Sequence, residues 1–98
     1  MTYQIEISPT AIQDIETIFL WLKVNTPETS YRWMRGCYEI MLKLESFPNR
    51  CTLAPESEYL EIEIRQLLYL KKYRILFSIA QTSDEHSGIV KIHRVRHS

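Results

Sequence analysis

Tyr73-Arg74-Ile75-Leu76-Phe77-Ser78-Ile79-Ala80 decides the fold of this chain. Tyr73, Ile75, Phe77 and Ile79 fall at every second position, the spacing that places side chains on one face of a β-strand, with Arg74, Leu76, Ser78 and Ala80 on the other. Upstream, Ile62 and Ile64 alternate with Glu61, Glu63 and Arg65; downstream, Ile89 to Val95 is rich in β-branched residues. Turns at Leu70-Lys71-Lys72 and across Thr82 to Gly88 join these segments as an antiparallel meander.

Ahead of the meander the period changes from 2 to 3.6. Tyr3 to Ile7 alternates as a short strand, and Ser8-Pro9 then starts a helix by supplying a capping hydroxyl and a residue suited to the first helical turn. Ile12, Ile15, Phe19 and Leu22 carry that helix over about 9–24. Thr26-Pro27 repeats the signal, and Tyr31, Met34, Cys37 or Tyr38, Met41 and Leu44 extend a second helix over about 27–47, where Phe47-Pro48 stops it. The short link at Lys23 to Thr26 forces the two helices into an antiparallel hairpin. Asn49 to Tyr59 reads as a loop. The class is α+β in the order β-α-α-β-β-β, a helical hairpin packed on one face of a small antiparallel twisted sheet with the other face open.

A length of 98 residues with 45% hydrophobic content fits one domain, residues 1–98. No stretch approaches the roughly 20 apolar residues of a membrane span, and Met1 to Glu6 has no basic-then-apolar leader, so the expected location is the cytoplasm. Cys37 and Cys51 have no metal-type spacing and are expected as free thiols, Cys37 packing a helix and Cys51 in a loop. The formal net charge of +0 conceals an asymmetry. From Arg65 onward the basic residues are Arg65, Lys71, Lys72, Arg74, Lys91, Arg94 and Arg96 against only Asp84 and Glu85, with His86, His93 and His97 in the same third. The remainder is acidic, so a basic sheet hangs on an acidic half and a polyanionic ligand is not excluded.

Five segments carry a resemblance. Ile7-Ser8-Pro9-Thr10-Ala11, Leu44-Glu45-Ser46-Phe47-Pro48, Ile64-Arg65-Gln66-Leu67, Tyr73-Arg74-Ile75-Leu76-Phe77 and Ile92-His93-Arg94-Val95-Arg96-His97, in this order and spacing, resemble the RelE/ParE superfamily of toxins from bacterial type II toxin–antitoxin systems. The resemblance covers nearly the whole chain. It implies a growth inhibitor bound at rest by a cognate antitoxin, in complexes that can be of higher order, and it leaves two mechanisms open. RelE-like members cut messenger RNA on the ribosome, whereas ParE-like members are not nucleases and poison DNA gyrase. A family member that binds its antitoxin but has lost toxicity is a third class.

The expectation placed first is ribosome-dependent messenger RNA cleavage without a metal or other cofactor. Such cleavage needs a proton acceptor, a proton donor and cations on the phosphorus. Matched to the family's strand motif, Arg74 would hold the scissile phosphate bidentately, with Arg65 in support; pairing of Arg74 with Glu61 or Glu63 is its structural alternative. His97, at the family's C-terminal histidine, would act as acid or base. Lys71, Lys72, Lys91, Arg94 and Arg96 would form an RNA-contacting fringe, or a charged edge that blocks strand pairing. With Ser98 last, a stacking role that relatives place in a tail would pass to Tyr73 or Tyr69. His93 and His97 are too far apart along a strand, about 13 Å, to share a metal. The long hairpin, with Ala11, Asp14 and Ile15 in its first helix, favours the gyrase branch. Trp21 and Trp33 are expected to supply at least one core residue, and an exposed one would anchor a partner.

Overall fold

The computed structural model describes residues 2–82 and 87–97; His86 and Ser98, and with them most of the turn expected after Thr82, lie outside the described residues. The elements are β1 (Tyr3–Ile7), α1 (Pro9–Asn25), α2 (Pro27–Leu42), β2 (Arg65–Tyr69), β3 (Tyr73–Gln81) and β4 (Gly88–His97). The sheet runs β1-β4-β3-β2, with β2, β3 and β4 antiparallel as expected. β1, however, pairs parallel to β4, from Tyr3 with Gly88 to Ile7 with Ile92, so the sheet is mixed. The α-hairpin between β1 and the rest is the long crossover that a parallel neighbour requires.

Ser8 joins strand to helix. Its N–H donates to the Ile92 carbonyl at 3.0 Å, continuing the ladder, while its Oγ accepts from Ala11 N–H at 3.0 Å and donates to the His93 carbonyl at 3.1 Å. Pro9 and Pro27 both occupy the first turn of their helices. Thr26 does not cap α2 with its side chain; its N–H and Oγ1 both donate back to the Leu22 carbonyl and close α1. The second helix is shorter than its periodicity suggests. It gives way to a 3-10 turn at Lys43–Glu45, after which Ser46 is extended and Phe47 takes a left-handed φ of 50° before Pro48.

The helix-side face of the sheet is the core. Phe77, Ile75, Ile92 and Val90 pack fully buried against Ile15 of α1 and Cys37 and Met41 of α2. Burying such side chains contributes roughly 1.5 to 3 kcal/mol each toward offsetting the chain entropy lost on folding. At one end Trp33, Tyr69 and Tyr73 form an aromatic cluster with centroid separations of 5.1 to 6.3 Å, and the Tyr69 hydroxyl donates to the Trp33 carbonyl at 2.9 Å. Gly36 makes this possible, since a Cβ there would collide with the Tyr69 hydroxyl. Both cysteines are buried and free, and burial pushes the Cys37 thiol up to about 12.

Two features differ from the sequence reading. The sheet's other face is not fully open. Residues 53–65 fold back over it, with a Leu53–Arg65 bridge, Ala54 N–H on the Ile64 carbonyl at 2.7 Å, and a small apolar cluster of Ala54, Ile64 and Leu76. The Ile62/Ile64 alternation therefore is not a strand: Ser57 Oγ accepts from Ile64 N–H and donates to its carbonyl, taking the groups that a neighbouring strand would use. The second difference is a β-bulge in β4. Leu76 pairs with Arg94 and Phe77 with Ile92, leaving His93 as the extra residue. Ile92 and Val95, three positions apart, are consequently both buried with the helix-side core.

Candidate functional site

Below the bulge, alternation sets which side chains can meet. Tyr73, Ile75 and Phe77 face the helices, so Arg74 and Leu76 face residues 54–64. Arg74 meets Glu56 in a two-pronged pair, Nη1 to Oε1 at 3.0 Å and Nη2 to Oε2 at 2.5 Å, and its Nη1 also donates to Gln66 Oε1 at 3.0 Å. Arg96, the β4 partner of Arg74, approaches the same Glu56 Oε2 at 3.8 Å. The hydrogen bond from Arg74 holds the Glu56 carboxyl at about 2, well below the usual carboxylate range, and Glu56 in turn raises Arg74. An acid does pair with Arg74, but it is Glu56 and neither Glu61 nor Glu63.

The other expected cations are distributed elsewhere. Arg65 Nη1 donates to the carbonyls of Cys51 at 2.6 Å and Asn49 at 3.3 Å, tying β2 to the preceding turn, and its Nη2 lies 3.8 Å from Glu63. Arg94 forks onto Asp14 of α1, Nε to Oδ2 at 2.8 Å and Nη2 to Oδ1 at 3.1 Å. Asp14 Oδ2 also accepts from Val95 N–H at 2.9 Å, covering the edge of β4 beyond the end of β1. Burial pushes the Asp14 carboxyl up, but the hydrogen bonds from Arg94 and Val95 outweigh it and leave its pKa lowered. Lys71 sits at the β2–β3 hairpin tip, where it and Leu70 both take left-handed backbone, φ 60° and 54°. This suits the twist of a hairpin but costs about 1 kcal/mol at each non-glycine position.

His97 lies on the helix side. Its ring stands edge-on to Tyr73, 5.1 Å between centroids, in a groove of about 680 Å³ at the end of the hairpin. Trp21, Leu22, Trp33, Tyr69 and Leu70 supply the groove's apolar walls, with Arg32, Lys72 and His97 as its basic groups. Trp21 is 63% exposed, whereas Trp33 is buried with its indole Nε1 unpartnered. Tyr73 is packed between Trp33 and His97 with 8% exposure and presents no free stacking face.

A second cavity, about 500 Å³, lies beside the β3 segment that extends past the start of β2, with Arg65, Ser78, Lys91 and His93 in its wall. His93 Nε2 meets Ser78 Oγ at 2.7 Å, and burial, helped by the Lys91 charge, lowers the pKa of the ring. The bulge at His93 has no signature in the sequence. Among the described residues no group of three or more His, Cys, Asp or Glu is placed to hold a metal ion, and no helix is long and apolar enough to cross a membrane.

The structure thus brings together Arg74, Arg96, Gln66 and Glu56 on one face and Tyr73 and His97 on the other; Arg65 and Arg94 belong to separate tethers. Glu56 was visible as one of the acids Glu56, Glu58, Glu61 and Glu63 that precede the basic strands, though nothing in their spacing selects it.

A family model for the ParE toxin of the type II toxin-antitoxin system parDE matches residues 5–98. A chain of the chromosomal ParDE TA system from P. aeruginosa superposes with a TM-score of 0.76 at 16% identity, covering 98% of this chain and 96% of that one. A chain of the RelBE2 toxin-antitoxin complex from Mycobacterium tuberculosis gives 0.56 at 21% identity, with both chains covered completely. Among curated proteins none matches the chain in sequence.

Proposed function

The chain belongs to the ParE toxin family of type II toxin–antitoxin systems, and from that membership we propose that it is a growth-inhibiting toxin, held silent by a cognate antitoxin, that acts on DNA gyrase without cutting RNA. One observation carries the choice of branch: Arg74 and His97 lie on opposite faces of the sheet, Arg74 with Glu56 and His97 against Tyr73. A phosphate held by Arg74 is out of reach of a proton delivered by His97, and in-line cleavage needs both at one phosphorus. The hairpin groove supports a protein target as well. Its exposed Trp21 and basic Arg32 suit an anchored contact with a polypeptide that presents acidic groups.

The test induces the toxin without antitoxin and maps messenger RNA 5′ ends within minutes, alongside a purified supercoiling assay that contains no RNA. Intact messages together with blocked supercoiling are the expected result. New 5′ ends inside translated codons would overturn the proposal.

That outcome would favour messenger RNA cleavage, a second reading with one observation of its own. His93 meets Ser78 on the face that carries Arg74, and a ring with a lowered pKa is neutral and able to accept a proton near pH 7. His93 would then be the proton-transfer group in place of His97. His93→Ala would abolish the new ends while His97→Ala left them.

A further inference from the structure

We propose that Ser78 is a nucleophile activated by His93, and that the cavity beside them takes an activated ester or thioester whose small apolar acyl group is transferred to the Ser78 hydroxyl. Ser78 Oγ lies 2.7 Å from His93 Nε2, the separation at which a neutral imidazole takes up a hydroxyl proton. Both residues are half-buried, so the pair is neither sealed in the core nor fully in water. Burial and the Lys91 charge keep the ring neutral near pH 7, the form that a base requires.

Lys91 supplies the third part of the site. It is the β4 register partner of Ser78, so the two side chains leave the same face of the sheet with β-carbons about 5 Å apart. Among the described residues no acid lies within ion-pair distance of Lys91. Its ammonium is therefore available to a carbonyl oxygen that becomes negative during attack. Arg65 lines the same cavity, but its guanidinium is tied to the carbonyls of Cys51 and Asn49. The cavity of about 500 Å³ has Ile62, Ile79 and Ala80 as its apolar wall, where a short acyl chain loses contact with water. Glu63 in that wall disfavours an acyl group that carries negative charge.

In the transfer, Ser78 Oγ bonds to the acyl carbon as its proton passes to His93 Nε2, and the carbonyl electron pair moves onto oxygen beside Lys91. Collapse of that intermediate breaks the bond from the acyl carbon to the aryloxide or thiolate. The leaving group takes the proton back from His93, and Ser78 is left as an ester. Nothing is oxidised or reduced, and no further reactant enters. The inference depends on neither reading of the toxin's target, because acylation of Ser78 is measured with no gyrase and no RNA present.

The experiment treats the full chain with p-nitrophenyl acetate and follows acetylation of each residue over time by peptide mass spectrometry. Ser78 is expected to be acetylated faster than every other serine in the chain. His93→Gln, which keeps a hydrogen-bonding side chain but removes the base, should slow that reaction roughly 100-fold. Lys91→Met should slow it about tenfold, less than the loss of a fully buried oxyanion donor because Lys91 is exposed. Two results overturn the proposal: acetyl groups on lysines with none on Ser78, or a rate at Ser78 that is unchanged in a folded His93→Gln protein. If His93→Gln does not fold, wild type in urea makes the same decision. Unfolding parts Ser78 from His93, so a rate at Ser78 that does not fall in urea overturns the proposal equally.

Discussion

One face of the sheet is held by packing and the other by ion pairs. Toward the helices, Ile75, Phe77, Val90 and Ile92 are fully buried and meet side chains from both helices. Toward residues 54–64 the apolar contact is limited to Ala54, Ile64 and Leu76, and the rest rests on Glu56 with Arg74 and Arg96. Burial depends on volume and tolerates little change, whereas ion pairs near a surface contribute only about 1 kcal/mol or less each and can be exchanged for other partners. The first face therefore fixes the fold, and the second can be rearranged at smaller cost.

Adjacent residues give the most severe test of this contrast. Phe77→Ala should cost about 3 to 5 kcal/mol, a large fraction of the stability of so small a domain, while Leu76→Ala on the opposite face should cost about 2 kcal/mol. Urea midpoints measure both, and equal losses would remove the distinction between the faces.

Next in size is Gly36→Ala. Alanine is the better helix former, yet its methyl would meet the Tyr69 hydroxyl, so a net loss of about 1 to 2 kcal/mol is expected. Tyr69→Phe removes that oxygen together with its hydrogen bond to Trp33. The double variant should therefore be more stable than the sum of the two single losses, and strict additivity would show that the contact is not what makes glycine necessary.

The ionic face should answer to pH instead. Glu56 titrates at about 2 in the folded protein against an ordinary 4.5, so its contribution is complete above pH 4.5 and is lost as pH falls toward 2. Asp14, also lowered, adds to the loss below its ordinary 3.8. Glu56→Gln should cost on the order of 1 kcal/mol at pH 6 and flatten the stability profile between pH 5 and 2. A profile as steep as wild type would assign the acid sensitivity to Asp14 and its neighbours. Trp21→Ala should have the smallest effect, under about 0.5 kcal/mol, because the side chain is 63% exposed. A clear loss of antitoxin affinity in that variant would then report contact at the hairpin groove and not altered folding.

Much of this architecture was legible in the sequence because it depends on local rules. Ser8-Pro9 and Pro27 start helices as expected, and the Tyr73 to Ile79 alternation is a strand of the core. The parallel pairing of β1 was not legible, since Tyr3 to Ile7 alternates identically beside either kind of neighbour. Nor was the partner of Arg74: Glu56 lies 18 residues away, brought near by a turn whose key bond is a serine hydroxyl on Ile64. At the candidate site the residue types were readable, but their sides were not. Which cations share a face depends on how β4 is registered, and that is set by packing at Phe77 and Ile92.

The His93 bulge amounts to a phase shift in the two-residue repeat. Had β4 continued without it, with His93 opposite Leu76, Arg94 and Arg96 would point at the helices, and Val95 and His97 would emerge on the same side as Arg74. The extra residue reverses that parity for the rest of the strand. It sends Val95 into the core and parts His97 from Arg74, so one added backbone unit decides which basic side chains of β4 share a face with those of β3.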